Sequence, residues 1–305
     1  MMKSAVIGSI NMDLDISVPR FPVPGETLTG NGFETLPGGK GANQAVALGR
    51  LGMPIKMAGR IGNDVFGKSY MENFARSGVD TEAVDTVEGA STGIADILIN
   101  ADAENYIVLV PGANALCDLA WLDSVIGKVA DCDVILMQLE IPLDTVTEAA
   151  KRLSAMGKTI ILDPAPAVPL PKALLENVDY VTPNETELRI ITSELDEDAD
   201  VEARVKHLLG SVRKAVIHKR GGDGAYIGTA DGVTHVPGYK VKAVDTTAAG
   251  DSFNAGFAAG LMLGKDLFGA VRMGNAVGAL AVTAFGAQEG MPRMADVERL
   301  MEEQK

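Results

Sequence analysis

The stretch DTTAAGDSF at residues 245–253 runs into NAGFAAGLML, an apolar, small-residue segment with helical spacing. Ala248, Ala249 and Gly250 therefore stand where a helix begins, and Asp251 follows just inside it. The first turn of a helix leaves backbone N–H groups unpaired, and the helix dipole adds partial positive charge there. With no side chain in the way, those amides can receive a phosphate closely. Asp251 carries the wrong charge to bind the phosphate, but it can take the proton from a hydroxyl that attacks it. An ordinary helix cap, with Gly250 packed tightly against a sheet, fits the same residues. Local chemistry leaves both readings open.

A second Gly-rich turn, LPGGKGANQAVALGRLG (36–52), also leads into a helical pattern. Glycines surround Lys40 there, and Asn43 and Gln44 sit in the first helical turn; Lys40 serves equally as a ligand contact or a solvated surface lysine. The spacing is not that of a Walker A loop, and GLMLGKD (260–266) fails the same pattern. GGDGAYIG (221–228) likewise lacks the G-x-G-x-x-G spacing of a dinucleotide site. Further polar groups follow candidate strands: Asn11 and Asp13, Glu140, and Asn184 with Glu187. Each alone reads as a cap or surface group. Converging on one crevice, they would suit a polyhydroxylated ligand, because carboxylates and amides pair with hydroxyls. The three histidines, His207, His218 and His235, have no ligand spacing, so no transition-metal site is expected.

Positioning these residues requires an alternating α/β scaffold. Apolar runs at 5–10, 133–139, 159–163, 179–183 and 215–218 read as strands. Helical patterns fall near 41–51, 65–76, 144–156, 186–192, 199–209 and 250–285. Strands apolar throughout and bounded by helices predict a doubly wound, mostly parallel sheet covered by helices on both faces. Ligands of such sheets bind beyond the carboxyl ends of the strands. Segments 13–38 and 91–112 lack a helical period and read as a small inserted β-sheet. That sheet could be a lid, a dimer contact or plain decoration. With no repeat and no separable linker, residues 1–305 are expected to form one domain.

A net charge of −14 over 305 residues argues against nucleic acid or anionic membrane as partner. Two cysteines, Cys117 and Cys132, are read as buried free thiols. The N-terminus reads as a first strand, no stretch is long enough to span a membrane, and a cytoplasmic protein is expected.

GGKGANQAVALGRLG and DTTAAGDSFNAGF resemble the two signature segments of the ribokinase (PfkB-type) carbohydrate kinases. GSINMDLDISVPRFPVPGETLTG, MQLE, DPAPA, TPNETE and GAQ extend the likeness, in the family's order, over nearly the whole chain. The resemblance implies a β-sheet lid, often clasping a homodimer, and transfer of the ATP γ-phosphoryl group to the 5-hydroxyl of D-ribose. It implies Asp251 as base and Ala248, Ala249 and Gly250 as anion hole. Asn11, Asp13, Gly39, Lys40, Asn43 and Glu140 match sugar-contacting positions. Asn184 and Glu187 match a motif that organises Mg²⁺ and phosphate through water. Lys219, Gly221 and Gly224 fall in the nucleotide-binding turn, with Asn275 near the adenine. A monovalent cation, usually K⁺, is implied at Asp245, Thr247, Ala281, Ala284, Gly286 and Gly290.

The sequence departs from the family pattern in three places. Gly290 stands where serine is common, Lys219-Arg220-Gly221 replaces Thr-Leu-Gly, and Asp163 replaces Asn. Lys219 could reach the phosphates itself, whereas residue types alone give no account of Asp163. A kinase for 2-deoxyribose, another sugar or a nucleoside, and a non-catalytic sugar or nucleotide sensor on the same fold, are the alternatives. A dehydrogenase lacks its fingerprint.

Overall fold

The computed structural model describes residues 2–102 and 104–305. The chain opens with β1 (Ser4–Ile7), β2 (Asn11–Ser17), β3 (Gly32–Gly38), α1 (Lys40–Arg50), β4 (Ile55–Gly62), α2 (Val65–Arg76) and β5 (Asp80–Val87). It continues through β6 (Gly93–Ile99), β7 (Asn105–Val110), α3 (Leu119–Val129), β8 (Val134–Met137), α4 (Leu143–Ala155), β9 (Thr159–Leu162) and α5 (Lys172–Leu175). β10 (Tyr180–Val181), α6 (Glu185–Ile191), α7 (Val201–Leu209), β11 (Ala215–Lys219), β12 (Gly224–Thr229) and β13 (Gly232–Pro237) follow. Three helices end the chain: α8 (Ala249–Met262), α9 (Leu267–Ala281) and α10 (Met294–Glu303).

Nine strands form the main sheet in the order β13-β12-β11-β10-β9-β8-β1-β4-β5. All pairs from β11 to β5 are parallel, and β12 and β13 add an antiparallel edge. Alternation along each strand feeds two cores. Val6, Leu136 and Ile161 pack on one face with α1, α8 and α9. Ile7, Ile135 and Ile160 pack on the other with α3 and α4. Burial on both faces explains why these strands read as unbroken apolar runs.

In-register pairing of Ile7 with Met137, Met137 with Leu162, and Leu162 with Val181 sets the carboxyl ends of the central strands side by side. Whatever follows β1, β8, β9, β10 and β11 is thereby brought to one edge. A second sheet, β3-β2-β6-β7, is built from the two segments that lacked helical period. It begins at Asn11, so Asn11 and Asp13 lie on its strand β2 and not on a loop.

The structure corrects several boundaries. The helical run expected over 250–285 is two helices, broken where Gly264 takes φ +74° and Asp266 caps α9 through the Gly269 N–H. It ends at Ala281. β4, β5, β12, β13, α3, α5 and α10 go beyond the elements read from sequence. β5 is an edge strand whose Asp80, Glu82 and Asp85 mask its period. β4 carries Gly59 and Gly62 at close backbone approaches, where a β-carbon on Gly62 would meet Ala90 O at 2.4 Å.

Candidate active site

Ala248 precedes α8 in the left-handed region, at φ 57° and ψ 16°, and no side chain caps the helix. Among the described residues it is the only non-glycine with positive φ. A β-carbon in that conformation costs roughly 1–2 kcal/mol. The turn it makes leaves the Gly250 and Asp251 N–H groups without partners among the described residues, while Ala249 N–H donates to Thr246 O at 3.2 Å. The uncapped entry therefore leaves unpaired donors in the first turn of α8, while the Ala249 amide, one of the three expected, is already used.

Asp251 is buried in the first turn. Its Oδ2 accepts from Asn43 Nδ2 at 3.0 Å and its Oδ1 from Gln44 Nε2 at 3.1 Å, both from α1. Burial pushes its carboxyl up to about 6; Lys40 opposes that rise and Asp163 adds to it. A group poised near neutrality can accept a proton and release it again. Burial alone would push the Lys40 ammonium down. Asp251, Asp163, Glu140 and Glu187 together hold it above the ordinary lysine range.

The second glycine turn brings backbone against backbone. Gly39 has φ +86°, and a β-carbon there would stand 2.6 Å from Asn11 N. Glu140 Oε2, beyond β8, accepts from Ser9 Oγ at 2.5 Å and from Lys40 N–H at 3.1 Å. Asn11 Oδ1 accepts from Asn114 Nδ2 at 2.7 Å. Asp13 lies against Gly38, and burial, then Asp15, Glu140 and Asp251, raise its carboxyl to about 7. A cavity of about 350 Å³ borders Asn11 and Glu140, with Ile94, Leu109 and Ile141 as apolar walls.

A larger cleft of about 670 Å³ adjoins the α8 entry. Lys40, Asp251, Ala248, Ala249 and Gly250 line one end, and Asn184, Glu187, Lys219, Gly221, Gly224 and Asn275 also reach it. Asn184 and Glu187 form the reciprocal capping box of α6. Burial raises the Glu187 carboxyl, with Lys219 opposing the rise. Gly224 takes φ +96°, with a notional β-carbon 2.2 Å from Val236 O, so the turn after β11 is tight. Asn275 Nδ2 donates to Val236 O and Pro237 O at 3.0 and 3.1 Å, tying α9 to the antiparallel edge.

Beside this cleft, Asp245 accepts from Thr247 N–H and Oγ1 at 2.9 and 2.7 Å and from Gly286 N–H at 2.9 Å. Burial works against its charge, but these bonds hold its carboxyl below the usual range. Gly290 is pressed onto Ala281, where a β-carbon would lie 1.9 Å from the carbonyl oxygen. The expected cation residues thus meet in two groups, Asp245 with Thr247 and Gly286, and Ala281 with Gly290; among the described residues the Ala284 carbonyl accepts no hydrogen bond. No cluster of three or more His, Cys, Asp or Glu is placed to hold a metal among the described residues.

Four residues gain a role only from the structure. Gln44 joins Asp251 to Asp163, and Asp163 pairs with Lys219 at 2.9 Å, so two departures from the family pattern are one ion pair. Gln288, in the GAQ segment, donates to Asn43 Oδ1, and Tyr70 donates to Gly38 O at 2.5 Å. GAQ was a sequence signal, but Tyr70 carried none.

The pfkB family carbohydrate kinase profile matches residues 1–294. A ribokinase of Haemophilus influenzae is 41% identical over 302 residues, covering 97% of each chain. One of Bacillus subtilis is 38% identical over 99% of this chain and all of its own. A deoxyribokinase of Salmonella typhi is 35% identical over 95% of this chain and 96% of its own. The solved Arabidopsis thaliana ribokinase complexed with ribose and ATP superposes with a TM-score of 0.92 at 32% identity, covering 99% of both chains. With its bare helix entry, buried aspartate and ordered signature turns, the chain belongs to the pfkB family of carbohydrate kinases, phosphotransferases whose acceptor is a hydroxyl group.

Proposed function

We propose that the chain transfers the γ-phosphoryl group of ATP to the 5-hydroxyl of D-ribose, with Asp251 as the base. The observation that carries this reading is the placement of a buried carboxylate of raised proton affinity in the first turn of an uncapped helix, on the wall of the larger cleft. The sugar lies against Asn11, Asp13, Gly39, Lys40, Asn43 and Glu140. Their carboxylates and amides receive ring hydroxyls, and the 5-hydroxyl faces Asp251. The nucleotide occupies the larger cleft along Lys219, Gly221 and Gly224, with the adenine toward Asn275.

Asp251 accepts the hydroxyl proton as the oxygen attacks phosphorus in line with the departing diphosphate. The 248–250 entry holds the charge that develops on the transferred group. Lys40 places a cation between the two reactants. Asn184 and Glu187 fit Mg²⁺ held through water and phosphate, since that ion binds through one or two carboxylates plus substrate oxygens. When bound, Mg²⁺ neutralises charge on the phosphates. Asp245, Thr247, Ala281, Ala284, Gly286 and Gly290 are the residues for K⁺, whose charge would add to the field at the entry; the Asp245 carboxylate, kept ionised by its hydrogen bonds from Thr247 and Gly286, supports that assignment.

The second sheet closes over the sugar and excludes water, and its exposed strand β7 joins two copies of the chain. The two unpaired, buried thiols support a reducing, cytoplasmic setting.

The deoxyribokinase relative favours 2-deoxyribose as a second reading. A panel of ribose, 2-deoxyribose, other sugars and nucleosides with ATP, scored by ADP release, tests both. Ribose is expected to give the highest kcat/KM, and Asp251→Asn is expected to lose 10² to 10⁴ in kcat, on the order of what general-base catalysis supplies. No ADP release with any acceptor would leave a sensor, and near wild-type turnover by Asp251→Asn would end the base assignment.

A further inference from the structure

Asp163 follows β9 and Lys219 closes β11, and the two carry opposite charges onto the floor of the cleft. Lys219 Nζ donates to Asp163 Oδ1 at 2.9 Å, with the side chains only 10% and 3% exposed. A pair so buried costs about as much in desolvation as it returns in attraction, so stability alone does not explain it. Its neighbours do. Asp163 Oδ2 accepts from Gln44 Nε2 at 3.0 Å, and the same nitrogen donates to Asp251 Oδ1 at 3.1 Å. Gln44 Oε1 accepts from Gln138 Nε2 at 2.7 Å, which fixes the amide so that both Nε2 hydrogens face carboxylates. Lys219 Nζ also lies 3.3 Å from where a β-carbon on Gly250 would stand, so the ammonium adjoins the helix entry.

We propose that Asp163 and Lys219 are positioning residues that act through Gln44, orienting the Asp251 carboxylate and setting the pH at which it can take the sugar's proton. This rests on Asp251 being the base. Lys219 keeps hydrogens for the phosphates as well, since an ammonium donates three.

The charged and titratable groups around Asp251 come from several elements: Lys40 from α1, Asp13 from β2, Tyr70 from α2 and Asp163 beyond β9, with Lys219 from β11, paired to Asp163, and Glu187 from α6 lining the same cleft. Among them, Asp163 and Lys219 have effects of opposite sign. The Asp163 anion opposes loss of the Asp251 proton, and removing its charge makes Asp251 more acidic. Lys219 masks that anion, and removing the ammonium makes Asp251 less acidic.

The experiment is single-turnover ribose phosphorylation across pH, with full-length enzyme in excess, so that slow variants also yield a profile. Asp163→Asn is expected to move the acid limb of the rate to lower pH. Lys219→Met, and more mildly Lys219→Gln, are expected to move it to higher pH. Each shift should be on the order of one pH unit, and Asp163→Asn/Lys219→Met should return the limb toward its original place. Limbs that stay fixed while rate and Tm fall would mean a merely structural pair, and limbs that move in the same direction would equally overturn the proposal. Turnover surviving Asp251→Asn would instead overturn the base assignment on which it stands.

Discussion

Gln288 donates through Nε2 to Asn43 Oδ1 at 2.9 Å, and that bond decides which way Asn43 presents its amide to Asp251. The same Nε2 donates to Tyr70 Oη at 2.9 Å, and Gln288 Oε1 accepts from Asn73 Nδ2 at 2.8 Å. A residue more than thirty positions beyond the base, past the end of α9, thus sets the face the base shows. Gln288→Leu should leave Asn43, Tyr70 and Asn73 with unpaired buried groups, at about 1–3 kcal/mol each. Thermal melting should show that loss, and kcat should fall on the order of ten- to a hundredfold as the base loses its orientation. Unchanged kcat in a destabilised Gln288→Leu would show that Asn43 keeps its place without help.

Gly250→Ala tests the helix entry separately from the base. Gly250 is in the helical region, and the nearest atom to a new β-carbon is the flexible end of Lys219 at 3.3 Å. The fold should therefore hold, with Tm shifted little. The methyl would fill the approach to the free amides, and kcat should drop on the order of 10². A variant with full activity would place the phosphoryl group elsewhere.

Two raised carboxyls make catalysis and stability respond to pH in opposite senses. Asp251 titrates at about 6 and Asp13 at about 7, both driven up mainly by burial. The folded state binds their protons more tightly than the unfolded chain does. Their stabilising contribution is thus complete below the ordinary aspartate value near 4 and is lost as pH rises through 6 to 7. Ligand-free enzyme should melt higher at pH 5 than at pH 7.5. Over the same interval kcat should fall toward acid with Asp251, and ribose KM should rise as Asp13 loses its charge. A ligand-free Tm that falls from pH 7.5 to pH 5 would contradict the burial of these groups.

Gly290 decides how the cation residues close. A side chain there would strike Ala281 O, so Gly290→Ser should lower Tm and move the 284–290 loop that carries Gln288. Wild-type rates are expected to be higher in potassium chloride than in tetramethylammonium chloride at equal ionic strength. Equal rates would show that Asp245 and its neighbours serve the fold alone.

Strand β7 exposes Tyr106, Ile107 and Val108 by more than half, beside an unpaired edge, and Phe33 is as exposed on β3. An apolar face of that kind marks a contact surface. Wild-type chain should sediment at twice 31.9 kDa, and Ile107→Asp should sediment near the single mass with a raised ribose KM. A monomeric wild type would leave this face to another partner.

The sequence by itself determined the scaffold and the sites that depend on local covalent structure. Unbroken apolar strands fixed the parallel sheet, because burial on both faces leaves no room for alternation. Ala248 to Asp251 and the Gly39 turn were legible because a helix entry and a tight turn are short-range features, and family likeness supplied their roles. Strands β4, β5, β12 and β13 were hidden by glycines and edge charges, whose meaning depends on neighbours distant in sequence. Only the tertiary structure joined Asp163 to Lys219, 56 positions apart, and Gln288 to Asn43, 245 apart. Residue type gives a charge or an amide, but its partner, its burial and the proton affinity that follows are set by which strand ends and helix turns the sheet brings together.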